Sequence, residues 1–185
     1  MKIYGTTTSP FVRRVRVVAH ELGEPIELAD TATPEGLAEL KRISPIHKVP
    51  VAMIDGAPLF DSRAIIQRLG WPADARDPNL VNAIDAAMDS VIQLFYLRRD
   101  GVAIDGTPYA VRQLARADAI FAWLGTQVRG ETFIGRLGLA EISLICALDW
   151  MDFRQTYPTE RAAAVEPIRA AWQDRASLAA TRPHT

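Results

Sequence analysis

The sequence has almost no cysteine and no excess of charge of either sign. Its 185 residues include a single cysteine, Cys146, so a disulfide framework within the chain is excluded. With 21 Lys and Arg against 22 Asp and Glu, the net charge is −1, which gives no overall attraction to nucleic acid or to an anionic membrane surface. We therefore expect a cytoplasmic protein whose partners are neither nucleic acid nor membrane.

Long hydrophobic runs and clustered metal ligands are also scarce. No uninterrupted apolar run reaches the roughly 18 residues of a membrane helix, and no charged-then-apolar leader opens the chain. Only three histidines are present, and no spacing of His, Cys, Asp and Glu is typical of a metal site, so we expect no metal. Cys146 lies inside an apolar helical stretch, where a structural and inert role is expected.

The two halves of the chain differ in the secondary structure that their sequences predict. Residues 1–70 alternate short β-type runs with amphipathic stretches, in the order strand, helix, strand, helix, strand, strand, helix. The segment "GWPADARDPN" (70–79) is rich in glycine, proline and aspartate, which predicts a linker. Beyond it only helical signals follow, and "LAEISLICALDWMDF" (139–153) is apolar nearly all round, as a buried helix is. We predict an α/β domain over 1–70 and an all-helical domain over 79–185.

Four hydroxyl residues, Thr6 to Ser9, precede Pro10 at the start of the first predicted helix. A serine before a proline at the first helical position is an ordinary N-cap. The same geometry also suits chemistry, because the unpaired N–H groups and positive dipole of a helix N-terminus stabilise an anion such as a thiolate. The residues alone leave both interpretations open. A solvated helix face is predicted for the three arginines that follow, Arg13, Arg14 and Arg16.

Two further segments combine an ordinary interpretation with a functional one. In "KVPV" (48–51), Pro50 precedes a strand; a trans bond is ordinary, whereas a cis bond would turn the Val49 N–H and C=O outward to pair with an extended peptide. In "FDSRAII" (60–66), Asp61 and Ser62 form either a plain helix cap or a recognition pair. In the second case Ser62 and the helix start bind a carboxylate, and Asp61 binds an ammonium group.

Taken together, "TSPFVRRVRVVAHELG", "SPIHKVPV" and "LFDSRAI" resemble the cytosolic glutathione S-transferases, and the similarity extends along the whole chain. The C-terminal sequence is similar to that of the small bacterial YibF-like branch. The resemblance implies a thioredoxin-like N-terminal domain, an all-helical C-terminal domain and a homodimer. It also implies a cis bond before Pro50 and a glutathione site at six positions: Ser9, Lys48, Val49, Pro50, Asp61 and Ser62.

The activity that the resemblance implies is binding of glutathione as co-substrate and conjugation of its thiol to a small electrophile, with Ser9 catalytic. A non-catalytic module that binds glutathione or a protein stays open as an alternative. Lys48 is expected to hold the glycine carboxylate of glutathione, although a solvated lysine explains it equally well. Contacts with the electrophile are expected from four residues, each of which is also consistent with packing: Phe11, Tyr96, Arg99 and Tyr109.

Three departures from the family pattern qualify these expectations. Ser9 stands where thiol-transferase relatives carry cysteine, so no mixed disulfide can form there and thiol-transfer chemistry is disfavoured. Asp61 is one methylene shorter than the commoner glutamate. Gly138 opens the predicted central helix without a side-chain oxygen, although Glu141 can still reach back to its amide.

The charged residues expected to pair across the two-fold axis of the homodimer are Arg63, Arg68, Asp85 and Asp89.

Overall fold

The computed structural model describes residues 1–184. It contains two compact units, the first formed by residues 1–73 and 174–184, and the second by residues 74–173. The sequence prediction assigned all of residues 79–185 to the helical domain. The structure differs at the C-terminal end, because the final segment packs on the first unit.

The first unit contains a four-stranded mixed sheet in the order β2-β1-β3-β4, with β2 parallel and β3 antiparallel to β1, and β4 antiparallel to β3. Its strands are β1 (Lys2–Gly5), β2 (Glu27–Asp30), β3 (Val51–Ile54) and β4 (Ala57–Leu59). Its helices within residues 1–73 are α1 (Pro10–Leu22), α2 (Pro34–Ile43) and α3 (Ser62–Arg68). This is the thioredoxin-like arrangement that the sequence predicted.

Local sequence chemistry explains where α1 and α2 begin. Pro10 and Pro34 occupy the first turns, where a missing N–H costs nothing, and the residues before them supply the caps. Thr33 accepts a hydrogen bond from the Gly36 N–H at 3.1 Å. At the other end of α1, Gly23 adopts the left-handed conformation with φ of 70°, which terminates the helix.

The second unit is helical. Its elements are α4 (Asp77–Arg99), α5 (Pro108–Gln127), α6 (Leu139–Arg154), a 3-10 segment (Thr159–Val165) and α7 (Glu166–Trp172). The central helix α6 is buried throughout residues 140–148, as its apolar composition predicted, and it packs against α4. After α6 the chain forms the 3-10 segment and then α7, which has Pro167 in its first turn.

By length and composition, α4 is apolar enough to cross a membrane, which the sequence analysis did not expect of any segment. However, 44% of its most apolar window is buried inside the protein, against neighbouring helices. Burial of this kind is what a core helix shows, and one such helix is weak evidence for a membrane span.

A buried carboxylate pair replaces the side-chain cap that Gly138 cannot provide at the start of α6. Glu141, which is fully buried, accepts the Gly138 N–H at 3.0 Å through Oε2 and the Phe133 N–H at 2.7 Å through Oε1. Asp77 of α4 accepts the Ala140 N–H at 3.2 Å. The N–H groups of the N-cap residue Gly138 and of Ala140 thus find acceptors within the second unit. Burial raises the pKa of Asp77 above its usual range.

The C-terminal segment, with α8 (Ala176–Ala179), is held against α1 by buried polar contacts. Arg13 of α1 is 2% exposed and donates to the Leu178 carbonyl at 3.0 Å, so the prediction of a solvated arginine face is wrong for this residue. Arg175 donates to both carboxylate oxygens of Glu21, at 2.7 and 2.6 Å, and the Ser177 hydroxyl donates to the same carboxylate. These bonds, with Arg175 the largest cause, lower the pKa of Glu21.

Glu21→Gln should destabilise the protein at neutral pH by about 1–2 kcal/mol, because it weakens charge-assisted bonds to Arg175 and Ser177. Since the folded-state pKa of Glu21 is lowered, its contribution is present above the unfolded-state pKa and is lost as the pH falls through the folded-state value. The difference between wild type and variant should therefore shrink as the pH falls below the usual carboxylate range, measured by urea unfolding at several acidic pH values. Glu24→Gln, an exposed neighbour, is the charge-matched control. Equal losses in both variants would contradict the prediction.

Candidate functional site

Three segments predicted to carry chemistry lie at the same end of the sheet. Val51 of β3 pairs with Tyr4 of β1, and Leu59 of β4 pairs with Ala52 of β3. Because β3 runs opposite to β1 and β4 runs back again, the end of β1, the start of β3 and the end of β4 coincide. Residues 6–9, 49–50 and 60–62 therefore lie at the same end of the sheet, although they are far apart in sequence.

The first turn of α1 packs closely against the last residue of β1. Ser9 is half-buried and its Oγ accepts the Val12 N–H at 3.3 Å, so it is the N-cap of α1. The hydroxyl proton of Ser9 stays available, because the cap uses only its acceptor. Gly5 permits the close approach of α1, since a Cβ at this position would lie 2.4 Å from a methyl group of Val12. Thr8 approaches the hydroxyl of Thr6 at 3.3 Å.

The Val49–Pro50 peptide bond is cis, as predicted. Pro50 is buried and Val49 is half-buried. Among residues 1–184, neither the N–H nor the C=O of Val49 has a hydrogen-bonding partner. An extended ligand beside Val49 would therefore find one free donor and one free acceptor on the same residue, which is the pattern needed for strand-like pairing.

Asp61 and Ser62 differ sharply in exposure. Asp61 is exposed, and its Oδ1 accepts the N–H groups of Arg63 at 2.8 Å and Ala64 at 3.4 Å, so it is the N-cap of α3. The Phe60–Asp61 peptide is also cis. Ser62 is only 1% exposed, and its hydroxyl contacts the side chain of Arg14 in α1. The capping interpretation thus describes Asp61, and Ser62 has a separate set of contacts.

Arg14 is the residue of this site that the sequence analysis missed. It is 4% exposed, so the prediction of a solvated face is wrong here as well. Its Nε and Nη2 donate to the Ser62 Oγ at 2.9 and 2.7 Å, and its guanidinium lies 5.0 Å from the centre of the Phe11 ring. One feature of the sequence could have indicated that Arg14 is not solvated. Arg14 follows Phe11 by three residues and precedes Val18 by four, which places it on the same helix face as these two apolar residues.

The other residues predicted to bind glutathione or the electrophile make few contacts or contacts within one helix pair. Lys48 is exposed and has no ion-pair partner in the described chain. In the second unit, Arg99 stacks on the half-exposed Tyr96 ring at 4.8 Å, and the Tyr109 hydroxyl donates to the side chain of Gln93. Tyr109 also packs against a buried apolar cluster.

Cys146 is 1% exposed within α6, in keeping with the inert role expected of it. Between residues 1 and 184, no group of three or more His, Cys, Asp and Glu side chains is arranged to hold a metal ion.

The chain is similar to proteins of the glutathione S-transferase family. Residues 3–77 match the family model for the glutathione S-transferase N-terminal domain. The chain is 26% identical over 172 residues to the uncharacterized GST-like protein YibF of Escherichia coli K12, covering 85% of each protein.

Solved structures extend the similarity over both units. A glutathione S-transferase from Methylobacillus flagellatus with bound glutathione superposes with a TM-score of 0.86 at 23% identity, covering 99% of both chains. A glutathione transferase family member from Pseudomonas fluorescens Pf-5 with bound glutathione has a TM-score of 0.83 at 27% identity, covering 100% of this chain and 99% of its own. The predicted fold and the predicted family resemblance are both confirmed.

The Arg14–Ser62 contact should be measurable as a coupling energy. Ser62→Ala removes the acceptor of two bonds from a buried guanidinium, so we expect a loss of about 1–3 kcal/mol in unfolding free energy. Arg14→Met should also destabilise, but the double variant should lose clearly less than the sum of the two single losses. Additive losses in urea unfolding would show that the two side chains do not depend on each other. Arg63→Met, an exposed position on α3, is the control.

Proposed function

Because the chain is similar to the glutathione S-transferases, we propose that it binds glutathione and activates the thiol for conjugation to a small electrophile. The observation that carries the proposal is the meeting of residues 6–9, 49–50 and 60–62 at one end of the sheet. This arrangement offers a helix N-terminus, a free backbone edge and a charged recognition pair to a single extended tripeptide.

Each part of glutathione has a chemically matched partner in the proposal. The cysteinyl backbone pairs with the free N–H and C=O of Val49. The γ-glutamyl carboxylate accepts from Ser62, whose Oγ already accepts two bonds from Arg14, so its own proton is the group left to donate. The Asp61 carboxylate binds the ammonium group, and Lys48 binds the glycine carboxylate. Pro50 holds Val49 in position.

The thiol lies at the N-terminus of α1 in this proposal, and Ser9 donates a hydrogen bond to the thiolate. A thiol with a pKa of about 8.5 is only about 3% ionised at pH 7, whereas lowering the pKa to about 6.5 makes it mostly thiolate. The positive end of the α1 dipole acts in the same direction. Serine in place of cysteine leaves no group that forms a mixed disulfide, so conjugation is favoured over thiol exchange.

For the electrophile, we propose contacts with the four residues expected from the sequence, namely Phe11, Tyr96, Arg99 and Tyr109. A cytoplasmic location and a homodimer complete the proposal. Light scattering at micromolar concentration should give twice the mass of 20.4 kDa. A monomer mass would remove the dimer from the proposal and leave glutathione binding unaffected.

Retention on immobilised glutathione followed by a conjugation assay separates the proposed enzyme from a non-catalytic binding module. The enzyme should be retained, should elute with free glutathione and should conjugate 1-chloro-2,4-dinitrobenzene. Retention without turnover across a panel of electrophiles would favour the binding module. Absence of both would reject the proposed function.

The role of Ser9 should appear in the ionisation of bound glutathione. If Ser9 donates to the thiolate, Ser9→Ala should raise the pKa of the bound thiol, each unit being worth about 1.4 kcal/mol, and should slow turnover near neutral pH. If Ser9 is only a cap, the variant should lose about 1 kcal/mol of stability and keep its chemistry. The measurement is the ultraviolet absorbance of the thiolate as a function of pH.

Thr8→Ala and the double variant complete this experiment, because the Thr8 hydroxyl is one residue away. A raised midpoint in Thr8→Ala alone would assign the donor role to Thr8. Unchanged midpoints in all three variants would leave Ser9 as a cap and the helix N-terminus as the source of activation. Glutathione affinity should change little in each case, since most of the proposed contacts lie at Val49, Asp61 and Ser62.

A further inference from the structure

A buried side chain joins two of the segments that are proposed to contact glutathione. Ser9 lies at the start of α1, and Arg14 lies about 7.5 Å further along the axis of the same helix. Arg14 reaches α3, where it donates two hydrogen bonds to the Ser62 hydroxyl at 2.9 and 2.7 Å. The segment 60–62, with the proposed γ-glutamyl contacts, is therefore tied to the helix that carries the proposed thiol contact.

The position of α3 depends on such contacts, because a helix of seven residues is too short to be stable by itself. Ile65 and Ile66 are at most 2% exposed and anchor its buried face. Asp61 is exposed and accepts two N–H groups of α3 itself, so its carboxylate follows the start of this helix. The bonds from Arg14 to Ser62 hold that start against α1.

The guanidinium group of Arg14 is well suited to fixing a hydroxyl. It is planar and presents its N–H groups in a fixed geometry, and here Nε and Nη2 converge on one oxygen. The guanidinium also lies 5.0 Å from the centre of the Phe11 ring, a cation–π contact that restricts its orientation. Arg14 and Ser62 are 4% and 1% exposed, so water does not compete for these bonds.

Arg13 provides a matched comparison on the same helix. It is 2% exposed and donates to the Leu178 carbonyl at 3.0 Å and to the Thr181 hydroxyl at 3.4 Å. The two arginines are thus similar in burial and charge, but Arg13 contacts the C-terminal segment whereas Arg14 contacts α3. Loss of either should destabilise the first unit, and only loss of Arg14 should disturb the segment 60–62.

We propose that Arg14 is a positioning residue for recognition of the γ-glutamyl end of glutathione. It holds Ser62, and with it the neighbouring Asp61, at a fixed position relative to α1. This inference rests on the proposed function and divides its tasks between two residues of α1 and its cap. Ser9 acts on the ionisation of the thiol, whereas Arg14 acts on affinity for the charged end of the ligand.

Titration calorimetry with two ligands on the full chain measures this role. N-acetyl-cysteinylglycine lacks the ammonium and carboxylate groups of the γ-glutamyl residue, so the ratio of its Kd to that of glutathione reports recognition of those groups. In Arg14→Met, glutathione should bind about threefold to tenfold more weakly and the analogue should be almost unaffected, so the ratio should fall.

Arg13→Met is the control for general destabilisation. It should lower the stability of the protein in urea unfolding, as Arg14→Met does, and should keep the wild-type ratio of the two affinities. An unchanged ratio in Arg14→Met, or an equal fall in both variants, would overturn the proposal.

Ser62→Ala and the double variant show whether Arg14 acts through Ser62. Ser62→Ala should itself lower the ratio, and Arg14→Met should then have little further effect, because the two changes interrupt the same contact. A full additional fall in the double variant would overturn this route. The ultraviolet midpoint of the bound thiolate should stay unchanged in Arg14→Met, and a shifted midpoint would contradict the division of tasks between Ser9 and Arg14.

Failure of this inference can be told apart from failure of the proposed function. Wild-type protein that binds no glutathione would reject the proposed function and the inference with it. Wild-type protein that binds glutathione, together with an unchanged ratio in Arg14→Met, would reject the role of Arg14 alone.

Discussion

The antiparallel pairing of β3 with β1 determines where every proposed glutathione residue of the first unit lies. Val51 sits opposite Tyr4, so the chain must enter β3 at the end where β1 leaves the sheet. Reversal at β4 returns the chain to that same end before α3 begins. The three segments 6–9, 49–50 and 60–62 are therefore neighbours because of strand direction, and the buried residues of the sheet hold that register in place.

Buried polar groups complete this arrangement. Arg14 joins α1 to α3 through the hydroxyl of Ser62, and Arg13, next to it in sequence, joins α1 to the C-terminal segment. Two consecutive arginines thus connect one helix by hydrogen bonds to two different parts of the unit. In the second unit, Asp77 and Glu141 perform the corresponding task for the start of α6. In each case a buried charge is matched by donors or acceptors of the same unit, and those of Glu141 are close to it in sequence.

The proposed thiolate site lies at the positive end of the α1 dipole. In the proposal, this dipole and the Ser9 hydroxyl both favour the negative charge of the thiolate. The neighbouring Val49, Asp61 and Ser62 then set the identity of the ligand.

Features that depend on a few neighbouring residues followed from the sequence. Ser9 and Thr33 before prolines mark helix starts, and the apolar run around Cys146 marks a buried helix, because capping and periodicity act over one or two turns. Motif resemblance likewise pointed to Val49, Pro50, Asp61 and Ser62. Burial of the polar side chains did not follow, and Arg13 and Arg14 were assigned to solvent. Only the tertiary structure decides which charged groups lose water, since the acceptors of Arg13 and Arg14 lie 165 and 48 residues away.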